Sequence, residues 1–317
     1  MSIMPFFLTL ALFGLGCNST IEETGLETGQ PIDSVVESST DGWLSVSAGL
    51  EHTCGIIEAV GGSNLVCFGE ASVIVHEDPT QPPEGMFISL DSGGDYSCAV
   101  REDSQVRCWG DSSHGKASAP TTVSTTVATG FEHSCLIATD GALECWGGTG
   151  EYDIAPPEGQ YAQVAAGYGF SCALSLLGDV DCWGSDFHGQ TSSPEVEMLQ
   201  VSAGSTASCG IGVDSSLHCW GEILGNTGAP PLGEFLAVAV GGEHACVIVK
   251  TSSATTSTEQ QLQGEIACWG DNSVGQSSPP PGEFTSLSAG VAHTCAVRSD
   301  GHLVCWGSNA GGQLGVE

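Results

Sequence analysis

The chain repeats one pattern seven times, which limits its possible folds more tightly than any composition figure does. Each copy opens on an apolar or aromatic residue, passes a small-residue step of the Ala-Gly type to a first cysteine, and ends on a second cysteine followed by Trp-Gly. The first cysteines are Cys54, Cys98, Cys135, Cys172, Cys209, Cys246 and Cys295, with a step of 37 residues from Cys98 through Cys246. Copies of this length cannot each bury a core alone, so they must stack on their neighbours. No long segment has the apolar spacing of an amphipathic helix, and 45 glycines punctuate the chain, which favours short strands and turns. The expected fold is all-β, a seven-bladed β-propeller of radially packed sheets. Four strands per copy are expected: one over Phe284 to Ala289 in the last copy, two in the cysteine hairpin, and a short outer one after Gly312-Gln313.

The second cysteines are Cys67, Cys108, Cys145, Cys182, Cys219, Cys268 and Cys305, in five copies ten residues after the first. In the last copy a turn at Ser299-Asp300-Gly301, with Gly301 left-handed, lets Ala296-Val297-Arg298 pair with His302-Leu303-Val304 and sets Cys295 opposite Cys305. Directly opposed β carbons are within reach of a disulfide. The spacing therefore predicts one intra-blade disulfide per repeat: Cys54–Cys67, Cys98–Cys108, Cys135–Cys145, Cys172–Cys182, Cys209–Cys219, Cys246–Cys268 and Cys295–Cys305. The two wide pairs carry insertions, Glu58 to Asn64 and Thr251 to Gly264, that lengthen hairpin tips. Disulfides in such number belong to an oxidising compartment. Zinc is not expected, because no Cys-x-x-Cys occurs and two sulfurs are too few ligands.

Of the fifteen cysteines only Cys17 is left over. It follows the apolar run Ile3 to Gly16, too short to span a bilayer, so residues 1–17 read as a signal peptide with a lipobox-like end and Cys17 as a lipidation site. Gly14 stands where a lipobox prefers leucine, and no basic residue precedes the apolar run. Residues 18–42, rich in Ser, Thr, Glu and Gly, read as a flexible acidic linker. The repeat body is residues 43–317. The protein is expected outside the cytoplasm, as a surface or outer-membrane lipoprotein or secreted, with the membrane reached only through the lipid.

The wording of the copies, such as VAAGYGFSCAL...CWGSDFHGQ and LSAGVAHTCAVRSDGHLVCWGSNAGGQLG, resembles the RCC1 (regulator of chromosome condensation) repeat family over Trp43 to Gly315. The resemblance implies a seven-bladed propeller, and the cysteine pairs and short copies look like a bacterial extracytoplasmic branch. Functions within the family diverge, from guanine-nucleotide exchange and chromatin binding to surface interaction, so the fold does not choose among them. Nothing beyond scaffold positions matches, and no exchange-factor residue carries over.

Net charge is −33, from five basic against 38 acidic residues, which would repel phosphate backbones and excludes nucleic acid as an expected partner. No catalytic, cofactor-binding or metal-ligating residue is assigned and no cofactor is expected. His52, His133, His244 and His293 recur two residues before the first cysteine, with Tyr96, Phe170 and Ala207 in their place elsewhere, a mixture that suits packing. Thr53, Ser97, Ser134, Ser171, Ser208 and Thr294 follow, as hydroxyls satisfying local backbone. Asp111, Asp186 and Asp271 read as turn caps, with calcium as the alternative. The repeat-opening residues (Trp43, Phe87, Ser124, Tyr161, Met198, Phe235, Phe284) and the residues after the second cysteine (Phe68, Trp109, Trp146, Trp183, Trp220, Trp269, Trp306) read as packing between blades. The expected function is a monomeric, non-enzymatic interaction scaffold for a protein or glycan. The alternatives are a carboxylate-dependent glycan-acting enzyme outside the cell and the exchange-factor activity.

Overall fold

The computed structural model describes residues 36–37, 42–59, 61–70, 78–152, 154–222, 229–250 and 263–315. The signal segment, Cys17, most of the linker and most of the Thr251 to Gly264 insertion lie outside the described residues. The copies form seven antiparallel sheets, the blades, each ordered inner, middle and outer strand. Blade 1 is Trp43–Ala48, His52–Ala59 and Gly62–Gly69; blade 4 is Tyr161–Ala166, Phe170–Ser175 and Val180–Gly184; blade 7 is Phe284–Ala289, His293–Arg298 and Leu303–Gly307. All seven inner strands line one central channel.

The hairpin register is the one the cysteines require. Cys295 pairs with Cys305 across the ladder, as do the two cysteines of each other blade, and seven disulfides close at Cα separations of 4.0–4.1 Å. That separation marks the non-hydrogen-bonded pair, in which opposed side chains stand nearest. In the chain-entropy account, opening the 10-residue loop of Cys98–Cys108 costs about 2.7 kcal/mol and the 22-residue loop of Cys246–Cys268 about 3.4 kcal/mol. Urea unfolding of the two double Cys→Ser variants is expected to rank them in that order.

At the tip of the blade 7 hairpin, Gly301 has φ +89° and donates to the Arg298 carbonyl at 2.9 Å. Gly141 and Gly178 fill the same left-handed place in blades 3 and 4, but Ser104 and Ser215 fill it in blades 2 and 5 with φ 63° and 66°. A β carbon is unfavourable there. Ser215→Gly is therefore expected to raise stability by about 0.5–1 kcal/mol, read as a higher urea midpoint.

Two expectations are corrected. No fourth strand follows the Gly-Gln turn in any copy: among the described residues six blades have three strands, and the run back to the next inner strand is proline-rich (Pro156-Pro157, Pro194, Pro279-Pro280-Pro281). Proline has no N–H to give to a ladder. The fourth strand of blade 7 comes instead from within the linker. Val36–Glu37 pairs antiparallel with the outer strand, Val36 opposite Cys305 and Glu37 opposite Val304.

The other end of the chain completes the closure. Thr53 of blade 1 donates its hydroxyl to the Gln313 carbonyl at 2.9 Å, and Leu314 is buried with Trp43, Val46 and Phe68. Elsewhere the same carbonyl position accepts the indole N–H of the next blade: Trp306 to Gln276 at 3.0 Å, Trp220 to Gln190 at 2.9 Å and Trp146 to Lys116 at 2.8 Å. Blade 1, with Phe68 for tryptophan, substitutes an apolar contact.

The hydrophobic core is distributed as seven clusters lying between neighbouring blades. In one, Phe284, Ala296, Val304 and Trp306 of blade 7 pack on Cys246 and Ile248 of blade 6. Every repeat-opening residue is buried, Ser124 included. Each inner strand has a register shift directly after that residue, as between Trp43 and Ser45. This bulge turns Leu44, Ile88 and Leu199 to solvent although their neighbours are core.

Candidate functional site

The inner strands end in short loops to the middle strands, and the antiparallel register brings the ends of the outer strands to the same side, Gly307 opposite His293. Both loop sets therefore form one face around the channel mouth. They are tied together: Asp111 N–H donates to the Asp95 carbonyl, Gly148 to Glu132, and Ser185 to Gly169, each at 2.7–2.8 Å.

The mouth is built on a ring of glycines. Gly49, Gly93, Gly130, Gly167, Gly204, Gly241 and Gly290 close the inner strands, and the N–H after each donates to a carbonyl of the next blade. Examples are Phe131 to Gly167 at 3.3 Å, Gly242 to Gly290 at 3.2 Å and, across the closure, Val291 to Gly49 at 3.3 Å. A β carbon at any of the seven would stand 2.1–2.7 Å from the next blade's glycine carbonyl oxygen.

The four histidines lie just outside this ring. Each is buried and bonds through Nε2 to the hydroxyl of the next blade: His52 to Ser97 at 2.8 Å, His133 to Ser171 at 2.7 Å, His244 to Thr294 at 2.7 Å and His293 to Thr53 at 2.8 Å. Thr53 and Thr294 spend their own protons on the carbonyls of Gln313 and Gln276. His293 and His244, which face them, must then donate through Nε2, which leaves their Nδ1 as a bare lone pair. Nδ1 has no partner in any of the four. In all four blades it faces the ring glycine three residues earlier, where a β carbon would also crowd the imidazole. Burial pushes the pKa of His52, His133 and His244 down to about 4 and of His293 to about 3. The rings are neutral structural links in different blades.

The variants fit the same logic. Tyr96 reaches across to Ser134 at 2.9 Å; Phe170 leaves Ser208 to the Cys172 sulfur at 3.5 Å; and where Ala207 replaces the histidine, Ala245 replaces the hydroxyl. The hydroxyls are thus inter-blade links rather than the local backbone caps expected of them. Asp111 and Asp271 each accept the N–H and hydroxyl of the serine two residues on, and Asp186 accepts from Thr191 N–H, so all three cap turns.

The channel holds about 330 Å³, and among the described residues Asp91 is the one charged side chain lining it. Its carboxylate accepts Ser47 Oγ at 3.0 Å, Thr129 N–H at 2.6 Å and Thr129 Oγ1 at 3.1 Å, joining blades 1, 2 and 3. Burial raises its pKa against these hydrogen bonds. Gln163 and Gln200 make similar links, each amide holding both the N–H and the carbonyl of the next blade's Val201 or Val238 at 2.9–3.3 Å. Sequence reasoning missed Asp91, although it stands where other copies have Ser or Ala.

What the mouth does expose is aromatic. Phe131 and Tyr168, in the loops of blades 3 and 4, lie 5.1 Å apart, and both line the channel opening. Outside them Tyr152 and Phe187 meet edge to face at 6.3 Å. Tyr152 lies over Gly169, the residue after Tyr168, and is within electrostatic reach of Tyr168 itself. Tyr168 is 46% and Phe187 82% exposed. The scaffold requires no ring at these places: the repeat equivalents of Phe131 and Tyr168 are Leu50, Gly94, Ser205, Gly242 and Val291, and those of Phe187 include Ser113, Ser273 and Ala310.

Three stretches, 87–116, 161–190 and 284–313, match the family model described as "Regulator of chromosome condensation (RCC1) repeat". They are blades 2, 4 and 7, each from its inner strand to the turn after Trp-Gly. Three of its seven blades are RCC1 repeats. No curated protein sequence matches it. Among solved structures, this RCC1-repeat propeller is similar to the CRINKLY WD40 ectodomain of the Arabidopsis thaliana receptor kinase ACR4, at 27% identity and TM-score 0.65, over 88% of this chain and 100% of that one. The entire ectodomain of the Physcomitrella patens receptor kinase CR4 follows at 22% identity and TM-score 0.66, over 85% and 75%. Prp20p from Saccharomyces cerevisiae, described with its binding to Gsp1p and histones, matches at 16% and TM-score 0.60, over 84% and 82%. The last two show the fold alone. The seven disulfides point to a place outside the cytoplasm.

Proposed function

We propose that this RCC1-repeat propeller is a non-enzymatic scaffold outside the cytoplasm, tethered through Cys17 or released, that binds a protein or glycan partner with the channel-mouth face. The carrying observation is the contiguous aromatic surface of Phe131, Tyr152, Tyr168 and Phe187, set on a hydrogen-bonded ring that holds it rigid. Large rings with few rotatable bonds, presented on a stiff frame, are the surface feature that binding energy concentrates on. The acidity of the chain supports a partner other than nucleic acid.

The test is capture from an extracytoplasmic fraction by the immobilised full chain, compared with Tyr168→Ser/Phe187→Ser and with Leu177→Ser. Leu177 sits 81% exposed at the hairpin tip of blade 4, one strand length away on the opposite face. The reading expects the aromatic variant to lose captured partners and Leu177→Ser to keep them. Equal recovery by all three would refute it.

A further inference from the structure

We infer that the aromatic surface takes a cationic, arginine-bearing extended segment of a protein partner; this rests on the interaction-scaffold reading and adds the chemistry of the partner. Three of the four rings are adjacent in sequence to a carboxylate: Phe131-Glu132, Glu151-Tyr152 and Asp186-Phe187. Glu222 lies beside them, bonded to His188 at 3.1 Å.

Both faces are acidic, and what differs between them is where the basic residues stand. On the channel-mouth face the loops after the inner strands carry Glu51, Asp95, Glu132 and Glu243, and those after the outer strands carry Glu70, Asp111, Glu151, Asp186, Glu222 and Asp271. Among the described residues Lys116 is the one lysine or arginine there, and it is consumed. It is 3% exposed, bonds Asp111 at 2.9 Å and Glu132 at 3.8 Å, reaches the Phe131 carbonyl at 3.4 Å and stands over the Tyr96 ring. Lys116 replaces the glutamine of blades 4, 6 and 7, and fixes the loop that presents Phe131. Arg101, Lys250 and Arg298 all lie where the middle strands end, at the far face.

A guanidinium stacked on the exposed ring of Tyr168 or Phe187 gains a ring face and the neighbouring carboxylates together. A neutral glycan would gain the stacking and no ion pair with the carboxylates. General attraction of any polycation to an acidic protein is separated from this by the rings, because arginine stacks on them better than lysine.

The experiment titrates the full chain with a fluorescent octa-arginine peptide, octa-lysine, and chitohexaose as a neutral glycan. Octa-arginine is expected to bind about tenfold more tightly than octa-lysine, weakening as salt rises. Tyr168→Ser/Phe187→Ser is expected to lose at least tenfold for octa-arginine and to abolish the preference, while Leu177→Ser keeps both and circular dichroism shows all variants folded. Equal affinity for the two peptides, or arginine binding unchanged in the double variant, would overturn the inference. Ring-dependent binding of chitohexaose without the arginine preference would also overturn it, yet leave the scaffold reading standing.

Discussion

Between pH 6.5 and pH 4 the protein is expected to lose stability at up to about 5 kcal/mol per pH unit from four histidines alone. His52, His133, His244 and His293 titrate near their ordinary value in the unfolded chain but are held down to about 4, or about 3 for His293, when folded. In that window the unfolded state binds more protons. The contribution is therefore complete above pH 6.5 and is lost as pH falls towards the folded values. The chief cause is burial of a ring whose one hydrogen bond already uses Nε2, so a second proton would place an uncompensated cation between blades. Asp78 opposes the shift at His52 and Asp271 opposes it at His244, whereas His293 is pushed further by His52 and His244. Relief of repulsion among the acidic residues runs the other way, so the histidine share is read by difference. His133→Phe copies the Phe170 arrangement of the next blade and is expected to flatten the pH dependence of the urea unfolding free energy by one proton, about 1.4 kcal/mol per pH unit. An unchanged slope would show that His133 is not a neutral link.

Gly93→Ala is expected to cost about 4 kcal/mol, more than most single changes in a protein. Its β carbon would stand 2.1 Å from the Gly130 carbonyl oxygen. That atom is backbone and cannot rotate away, and it accepts the Gly94 N–H at 3.3 Å. Overpacking of this kind costs about 3 kcal/mol and the lost bond about 1 kcal/mol more. Chemical denaturation reads the loss directly. A cost below about 1 kcal/mol would mean that the glycine ring yields easily and does not set the channel mouth.

The propeller was legible because its evidence is repeated. One cysteine pair ten residues apart is weak, but several copies around the same turn leave a single register for the hairpin and hence for the disulfides. Single events were harder. Nothing in Val36-Glu37 distinguishes two residues that pair with blade 7 from the rest of an acidic linker, because strand addition at an edge uses backbone and little side-chain signal. The fourth strand was over-read from repeat architecture, although the prolines before each inner strand argued against it. The glycine ring was visible as an invariant letter within the repeats, but its reason, the approach of the next blade's carbonyl, is long-range and appears only in three dimensions. Phe131 and Tyr168 stand as rings where the other copies put Gly, Ser, Leu or Val, and Phe187 where blades 2, 6 and 7 put Ser or Ala. That comparison between copies is the signal that was available and went unused for the site.

One exchange at the joint between blades 5 and 6 has a wider meaning. There Ala207 faces Ala245, and the surrounding cluster of Ile211, Phe235, Val238, Val240, Val247 and Trp269 is oily throughout. The other joints carry a polar or aromatic side chain at that depth. Apolar cohesion fades on cooling while hydrogen bonds do not. At that depth this joint accordingly loosens most on cooling, well away from the seam where the two ends of the chain meet, while nearer the channel the Gln200 amide still ties it to Val238.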